Sequence, residues 1–171
     1  MGARGGIFMA EPSFYGITLR RGASGPDVAL VQRWLNSAHD RYPAINTVTV
    51  DGRYGPATVS AVRSFQTAAG LNDDGAVGED TWDLLYAAYA QVHGEGEIWP
   101  GITMRTGMRG ATVKSAQERL KTLVPHLSTD GRYGLSTRNA VFAWQVVHDL
   151  PADGALGHRT WNDLYGVSTT L

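Results

Sequence analysis

Apolar residues recur at helical spacing in six stretches, separated by turns rich in Gly, Asp and Pro. Positions three or four apart lie on one face of an α-helix, so each stretch predicts an amphipathic helix. In the first half the inner faces are Val28, Val31 and Leu35; Ala61, Val62, Phe65 and Ala69; Trp82, Leu85, Tyr86 and Tyr89. In the second half they are Val113, Ala116 and Leu120; Ala140, Val141, Trp144 and Val147 or His148; Trp161, Leu164 and Tyr165.

The residues before these stretches predict where the helices begin. Pro26 stands near the first helical position, and Asp27 is favourable to the helix dipole. Before the second helix, Gly55-Pro-Ala-Thr58 places a Gly at the N-cap and a hydroxyl that can reach back to free backbone groups. Thr47-Val-Thr-Val50 is a candidate for a brief extended piece, but no hairpin signal is strong. The chain is therefore predicted to be all-α.

The two halves of the chain repeat one another. The pentapeptide Asp51-Gly52-Arg53-Tyr54-Gly55 recurs unchanged as Asp130-Gly131-Arg132-Tyr133-Gly134. At matching distances each is followed by Thr, Ala-Val, an aromatic-Gln pair, Asp-Gly-Ala and Thr-Trp. This indicates two tandem small three-helix bundles with loop-rich connections. The predicted parts are an N-terminal segment (1–15), a first module (16–92), a linker (93–100) and a second module (101–171).

The segments that open the modules also correspond. We expect each to be an extended arm on its bundle, with Ile17 and Leu19, and likewise Ile102 and Met104, facing inward. Trp34 lies just off the apolar stripe of the first helix, which suggests a contact between the modules. Because the linker is short, the modules should lie close together.

Composition removes several functional classes. A formal net charge of −1 with 18% charged residues gives no basic field for nucleic acid, and no apolar run reaches the length of a membrane span. The sequence contains 0 Cys, which excludes disulfides, thiolate metal sites and cysteine nucleophiles. The N-terminus has no apolar core of a secretory signal, so the export route stays open. Neither nucleic acid nor a membrane is an expected partner.

Catalytic patterns are also missing from the sequence. The five His residues show no zinc-ligand spacing, and neither Gly-x-Ser-x-Gly nor Ser-x-x-Lys occurs. A glycosidase needs two carboxylates that converge on a cleft, whereas the Glu residues here are sparse. We therefore expect no enzymatic activity, no cofactor and no metal.

The repeated pattern resembles the peptidoglycan-binding domain of the type-1 family. The matching order is Arg-x-Gly-x-x-Gly-x-x-Val-x-x-x-Gln, then Asp-Gly-x-Tyr-Gly-x-x-Thr-x-x-Ala-Val-x-x-Phe-Gln, then Asp-Gly-x-x-Gly-x-x-Thr-Trp. It covers roughly 16–90 and 101–166. The resemblance implies a three-helix module of the kind appended to bacterial and phage cell-wall hydrolases and to spore and envelope proteins.

Arg53 and Arg132 are candidate ligand residues, because the family varies at this position and a turn does not require Arg there. An Arg side chain can hold a carboxylate through two hydrogen bonds, and the stem peptides of peptidoglycan carry several carboxylates. The alternative is an ordinary solvated charge on a turn.

Aromatic residues of each module complete the candidate ligand set. The indole rings could stack on sugars, with a tyrosine one turn later on the same face; helical spacing equally fits core residues. The tyrosine of the pentapeptide is expected to place its ring in the core and its hydroxyl at the surface. The residues concerned are Tyr54, Trp82 and Tyr86 in the first module and Tyr133, Trp161 and Tyr165 in the second.

The predicted function is non-catalytic binding of peptidoglycan, through its stem peptide and glycan, that targets or anchors a protein to the wall. A fused or associated cell-wall hydrolase is a possible partner. The expected location is the cell wall or extracellular envelope. A phage- or spore-associated protein, released by lysis or assembled inside the cell, is one way to reach it without a secretory signal. The alternative is a protein-interaction or assembly element of a virion or spore structure built on the same fold.

Overall fold

A computed structural model of the protein describes residues 14–93 and 99–166. Within these ranges the helices are α1 (Pro26–His39), α2 (Pro56–Ala69), α3 (Glu79–His93), α4 (Ala111–Leu120), α5 (Leu135–Val147) and α6 (His158–Leu164). Over the same ranges extended pairing is limited to isolated single-residue bridges, and 47–50 forms no strand. The predicted all-α class and the tandem three-helix arrangement are confirmed.

Glycine precedes most of the helices, and proline opens α1 and α2. The Thr58 hydroxyl reaches back to the backbone as predicted, since it donates to the Arg53 carbonyl oxygen at 3.5 Å, and it also accepts a hydrogen bond from Gln32 Nε2 at 3.2 Å. Thr137 has the same arrangement with Gln117.

The first module is built around α1, which packs mainly against α3. Trp34 lies at the centre of this core, with its ring centroid 4.9 Å from that of Trp82 and 5.7 Å from that of Tyr86. Trp34 is completely buried, and its ring contacts are with aromatic residues of its own module, so it is a core residue and not the predicted mark of an interface between the modules. The two edge-on contacts stabilise the core in addition to the apolar area they bury.

The second module packs α4 against α5 and α6 around Met104, Leu120 and Trp161. Its α5 differs from the predicted inner face near the C-terminal end. Val147 and His148 are both exposed, and Trp144 is half-buried. The Trp144 indole donates to Asp163 Oδ1 at 2.7 Å, and His148 Nδ1 lies 2.9 Å from the same oxygen. A solvated carboxylate therefore holds this end of the helix at the surface.

The arms pair with their own modules through single bridges, Leu19 with Val77 and Met104 with Leu156. Leu19 and Met104 face inward as predicted. Ile17 does not, because 46% of it is exposed. Ile102 is half-buried, and its Cδ1 would lie 3.1 Å from a Cβ at Gly52 of the other module. The alternation therefore holds only for the inner residue of each arm.

The modules touch where α1 and α4 begin. Asp27 Oδ2 accepts from the Ala111 N–H at 2.8 Å, and Oδ1 accepts from the N–H and hydroxyl of Thr112 at 3.1 and 2.9 Å. Asp27, expected to serve the dipole of its own helix, thus satisfies the free donors of α4. Burial raises the pKa of the Asp27 carboxyl, although these hydrogen bonds oppose the increase.

A second contact with the second module comes from Tyr15, which directly precedes the first module. Its hydroxyl donates to the Asp130 carbonyl oxygen, and its ring lies against Gly131. The prediction that the modules lie close together is therefore consistent with their contacts. The predicted boundaries stay predictions, since most of the linker (94–98) and most of segment 1–15 fall outside the described residues. None of the helices that the structure describes is long and apolar enough to cross a bilayer.

Candidate ligand-binding site

Each pentapeptide turn is held by a buried glutamine from the preceding helix. Gln32 Oε1 accepts from the N–H groups of Asp51 and Gly52 at 3.1 and 2.9 Å. Its Nε2 lies 2.9 Å from Asp51 Oδ1 and 3.0 Å from the Arg53 carbonyl oxygen. A single amide therefore satisfies both donors and acceptors of the turn, as buried backbone groups require.

The same arrangement occurs four times in the described chain, and we call it the glutamine clasp. Each clasp joins a glutamine, the next Asp-Gly turn and a threonine one helical turn into the following helix. The glutamines are Gln32, Gln66, Gln117 and Gln145, and the aspartates are Asp51, Asp74, Asp130 and Asp153. Much of the repeated sequence is therefore required by the turns themselves.

The clasps also alter the titration of their carboxylates. Hydrogen bonds from the glutamine amide and the turn backbone lower the pKa of Asp51, Asp74 and Asp130. For Asp153 burial acts in the opposite direction, but the hydrogen bonds prevail and its pKa is also lowered. These carboxylates are ionised at neutral pH and serve as acceptors within their turns.

The structure places the predicted tryptophans in the cores. Trp82 and Trp161 are each 1% exposed, and both contact aromatic neighbours. Tyr86 and Tyr165 are 5% exposed. A sugar ring stacks on an open aromatic face, and in this conformation none of these four residues presents one.

Tyr54 and Tyr133 are buried as well, including their hydroxyls. Tyr54 donates to the Gly75 carbonyl oxygen at 2.8 Å, and Tyr133 donates to the Gly154 carbonyl oxygen at 2.9 Å. Burial raises the pKa of both hydroxyls. The expectation that these hydroxyls lie at the surface is wrong, because each one links the first turn of its module to the second turn.

Arg53 and Arg132 remain at the surface. Both side chains are exposed, and neither guanidinium has an ion-pair partner among the residues that the structure describes. Their backbone, in contrast, is fixed: Ser24 forms a bridge with Arg53, and Arg109 forms one with Arg132. Of the eight predicted ligand residues, these two present an available charge.

A groove of about 620 Å³ lies between the modules, next to the turn that carries Arg53. We call it the inter-module groove. Its walls come from the first arm and the first pentapeptide on one side, and from the second arm and the residues before α4 on the other. The side chains that line it include Ile17, Asp27, Asp51, Arg53, Ile102, Met108 and Arg109.

Sequence reasoning did not identify Arg109 or Ile17 as site residues. Arg109 aligns with Ser24 in the duplication, so it falls outside the repeated pattern. The replacement of Ser24 by an arginine at the aligned position 109 was the sequence signal that could have identified Arg109. Trp144, His148 and Asp163 form a further polar cluster that was not predicted. Across 14–93 and 99–166, no three His, Asp or Glu side chains come together as a metal site would require.

Two segments of the chain, residues 24–85 and 109–164, match the family model described as "Putative peptidoglycan binding domain". Together the segments make up well over half of the 171 residues and coincide with the two bundles. The chain belongs to the peptidoglycan-binding domain family. The resemblance inferred from the pentapeptides is thereby confirmed.

Relatives of this peptidoglycan-binding chain include enzymes that are longer than it is. It is 35% identical over 160 residues to a "Probable N-acetylmuramoyl-L-alanine amidase" of Bacillus licheniformis. The aligned region covers 85% of this chain and 44% of the amidase. It is also 33% identical over 102 residues to a "Spore cortex-lytic enzyme" of Bacillus cereus. That aligned region covers 60% of this chain and 37% of the enzyme. The chain thus spans less than half the length of these relatives.

Among solved structures, the chain is similar to the N-terminal domain of SleB. The likeness has a TM-score of 0.38 and 38% sequence identity. It covers 44% of this chain and 97% of the solved domain.

Proposed function

We propose that this chain binds bacterial peptidoglycan without cleaving it, and that it targets or anchors a protein to the wall. The observation that carries this proposal is the family match in both bundles. The names of the relatives support it, since an amidase and a cortex-lytic enzyme are named for action on wall material, and the chain matches only part of each. A cell-wall hydrolase, fused or associated, is the partner that this suggests.

The exposed arginines are the proposed means of recognition. A guanidinium without an ion-pair partner can bind a carboxylate through two parallel hydrogen bonds, and such charge-assisted bonds are the stronger kind. Stem peptides supply these carboxylates. Of the predicted ligand residues, Arg53 and Arg132 are therefore the two candidates for this contact, and the buried Trp and Tyr residues have a structural role. The proposed location is the cell wall or a spore structure.

The test is co-sedimentation of the intact protein with purified, protein-free sacculi, with chitin and cellulose as control polymers. We expect the protein to pellet with sacculi alone. The double variant Arg53→Ala/Arg132→Ala should pellet less, while Lys121→Ala/Arg159→Ala, which removes the same charge from other exposed positions, should pellet like the parent. A folded protein that pellets with none of the polymers would refute wall binding.

An assembly role is the second candidate function, and the surface of α5 favours it. Leu135, Phe142 and Val146 are 66%, 43% and 55% exposed, and their spacing places them on one helix face. The aligned positions in α2 are Pro56, Arg63 and Thr67. Light scattering after size-exclusion chromatography tests this role: a stable oligomer that Phe142→Asp converts to monomer would support assembly, and a monomer at all concentrations would argue against it.

A further inference from the structure

We propose that the inter-module groove is one composite site for a short acidic peptide, and that residues of both modules are needed to form it. The inference rests on the proposed wall binding, for which the matching ligand is the stem peptide. It differs from binding at two equivalent sites, one in each module. The groove's volume of about 620 Å³ lies within the range of roughly 300–1,000 Å³ typical of ligand sites.

The charges in the groove favour a carboxylate ligand. Arg53 from the first module and Arg109 from the second both line it, and within the described residues neither has an ion-pair partner. Two carboxylates also line it. Asp27 accepts three hydrogen bonds from Ala111 and Thr112. Asp51 uses its Oδ1 in the clasp, and its side chain stays exposed. The groove therefore presents two available cations against one exposed carboxylate.

The remaining walls are apolar and partly open. Ile17 is 46% exposed at the edge of the groove, and Ile102 and Met108 are half-buried in its opposite side. An isoleucine that leaves the arm's own core and lines a groove offers contact area to a ligand. Methyl groups of alanine residues next to a carboxylate would fit such a surface, so the ligand combines small aliphatic groups with negative charge.

The second pentapeptide has different neighbours from the first. A Cβ at Gly131 would overlap the Tyr15 ring, whereas a Cβ at Gly52 would meet the Gly25 carbonyl oxygen at 3.0 Å and Ile102 Cδ1 at 3.1 Å. Arg132 follows the covered turn and does not line the inter-module groove. Identical sequences thus occupy different environments, and this separates one composite site from two equivalent sites.

The test measures binding of a soluble stem tetrapeptide to the full chain by isothermal titration calorimetry. Arg53→Ala and Arg109→Ala should each weaken binding about tenfold, which corresponds to one charge-assisted contact. The same peptide with amidated carboxyl groups should bind at least tenfold more weakly. Arg159→Ala, an exposed charge outside the groove, is the matched control and should change affinity less than twofold. Circular dichroism confirms that each variant is folded.

A second pair of variants tests the groove without removing an arginine. Ile17→Asp and Ile17→Lys alter the same exposed position with opposite charges, and neither removes a core side chain. We expect Ile17→Asp to weaken peptide binding at least tenfold and Ile17→Lys to leave it within about threefold of the parent. Equal affinities for the two variants would place the peptide outside the groove.

Failure of the composite site can be told apart from failure of wall binding. If Arg132→Ala weakens binding as much as Arg53→Ala while Arg109→Ala has no effect, the two-site arrangement is correct and the composite groove is wrong. If the peptide does not bind but the protein still pellets with sacculi, wall binding stands and the groove proposal fails. If the protein does not pellet with sacculi, the proposed function fails first.

Discussion

The two pentapeptide turns have identical sequences and the same three kinds of glutamine hydrogen bond, yet one borders an open groove and the other lies beneath a tyrosine. Gln32 and Gln117 hold them in the same way, through the Gly N–H, the Asp carboxylate and the Arg carbonyl. The difference comes from the residue that lies over each glycine, Ile102 of the second arm over Gly52 and Tyr15, which precedes the first module, over Gly131. Repeated residues thus build the turn, and the residues that pack on it from elsewhere give it different surroundings.

The largest effect should come from the core tryptophans, which the two modules share. Trp82→Ala and Trp161→Ala should each lower the free energy of unfolding by about 3–5 kcal/mol, because each leaves a large cavity. Guanidinium unfolding measures this. The more conservative Trp82→Phe and Trp161→Phe should retain binding to sacculi. If either lost binding while remaining folded, the ring would have a direct role in recognition.

The clasps should respond equally in the two modules. Gln32→Ala and Gln117→Ala should each cost about 2–3 kcal/mol of unfolding free energy, since buried turn N–H and carbonyl groups lose their partners. Gln→Glu at the same positions is the size-matched control, and it should also destabilise because it removes the amide donor. If one turn tolerated alanine, a local partner would have to replace the glutamine there.

The glycines should distinguish the two turns. Gly52 and Gly131 have φ of 69° and 70°, so alanine at either position costs about 1–2 kcal/mol from backbone strain alone. In Gly52→Ala the Cβ also meets backbone at the Gly25 carbonyl, whereas in Gly131→Ala it meets the Tyr15 ring. We expect a chemical-shift change of the Tyr15 ring in Gly131→Ala and not in Gly52→Ala. An unchanged Tyr15 signal in both would show that the ring does not cover the second turn in solution.

Acid should have the smallest effect, with a sign that depends on the group. Asp51, Asp74, Asp130 and Asp153 have lowered pKa values in the folded state, so the stability they contribute is present above about pH 4 and is lost as the pH falls through the folded-state values. The raised pKa of Asp27 acts in the opposite sense. Its contribution is fully present below about pH 4 and is lost as the pH rises through its folded-state value.

The melting temperature between pH 7 and pH 3 measures this balance. We expect a shallow maximum in the mildly acidic range, followed by a decrease at lower pH. Asp27→Asn should remove the rise on acidification and leave the decrease. A profile that Asp27→Asn does not change would mean that this carboxyl titrates with an ordinary pKa.

Much of the fold followed from the sequence because its causes are local and repeated. Helical spacing, Gly-Pro helix starts and the duplication predict all-α tandem bundles, and the same spacing places Trp82 and Trp161 on inner faces. The contacts between modules did not follow in the same way. Asp27 reaches Thr112 only because α1 and α4 meet at their N-termini, and no local pattern encodes that meeting.

The candidate site was therefore predicted only in part. The sequence singled out Arg53 because it recurs in a turn that does not require it. It could not indicate that Arg53 shares a groove with Arg109, or that Tyr15 covers the turn before Arg132. It also placed Trp34 between the modules. A residue beside the apolar stripe of a helix can face either a partner or the core of its own module, and the sequence pattern does not distinguish the two.

The most direct test of the account is to map backbone amide chemical shifts of the intact protein while adding soluble muropeptide. We predict concentration-dependent shifts at the groove glycines Gly22, Gly52 and Gly107, with little change on the exposed face of α5. Shifts confined to that face, around Phe142 and Val146, would contradict the account and favour the assembly role.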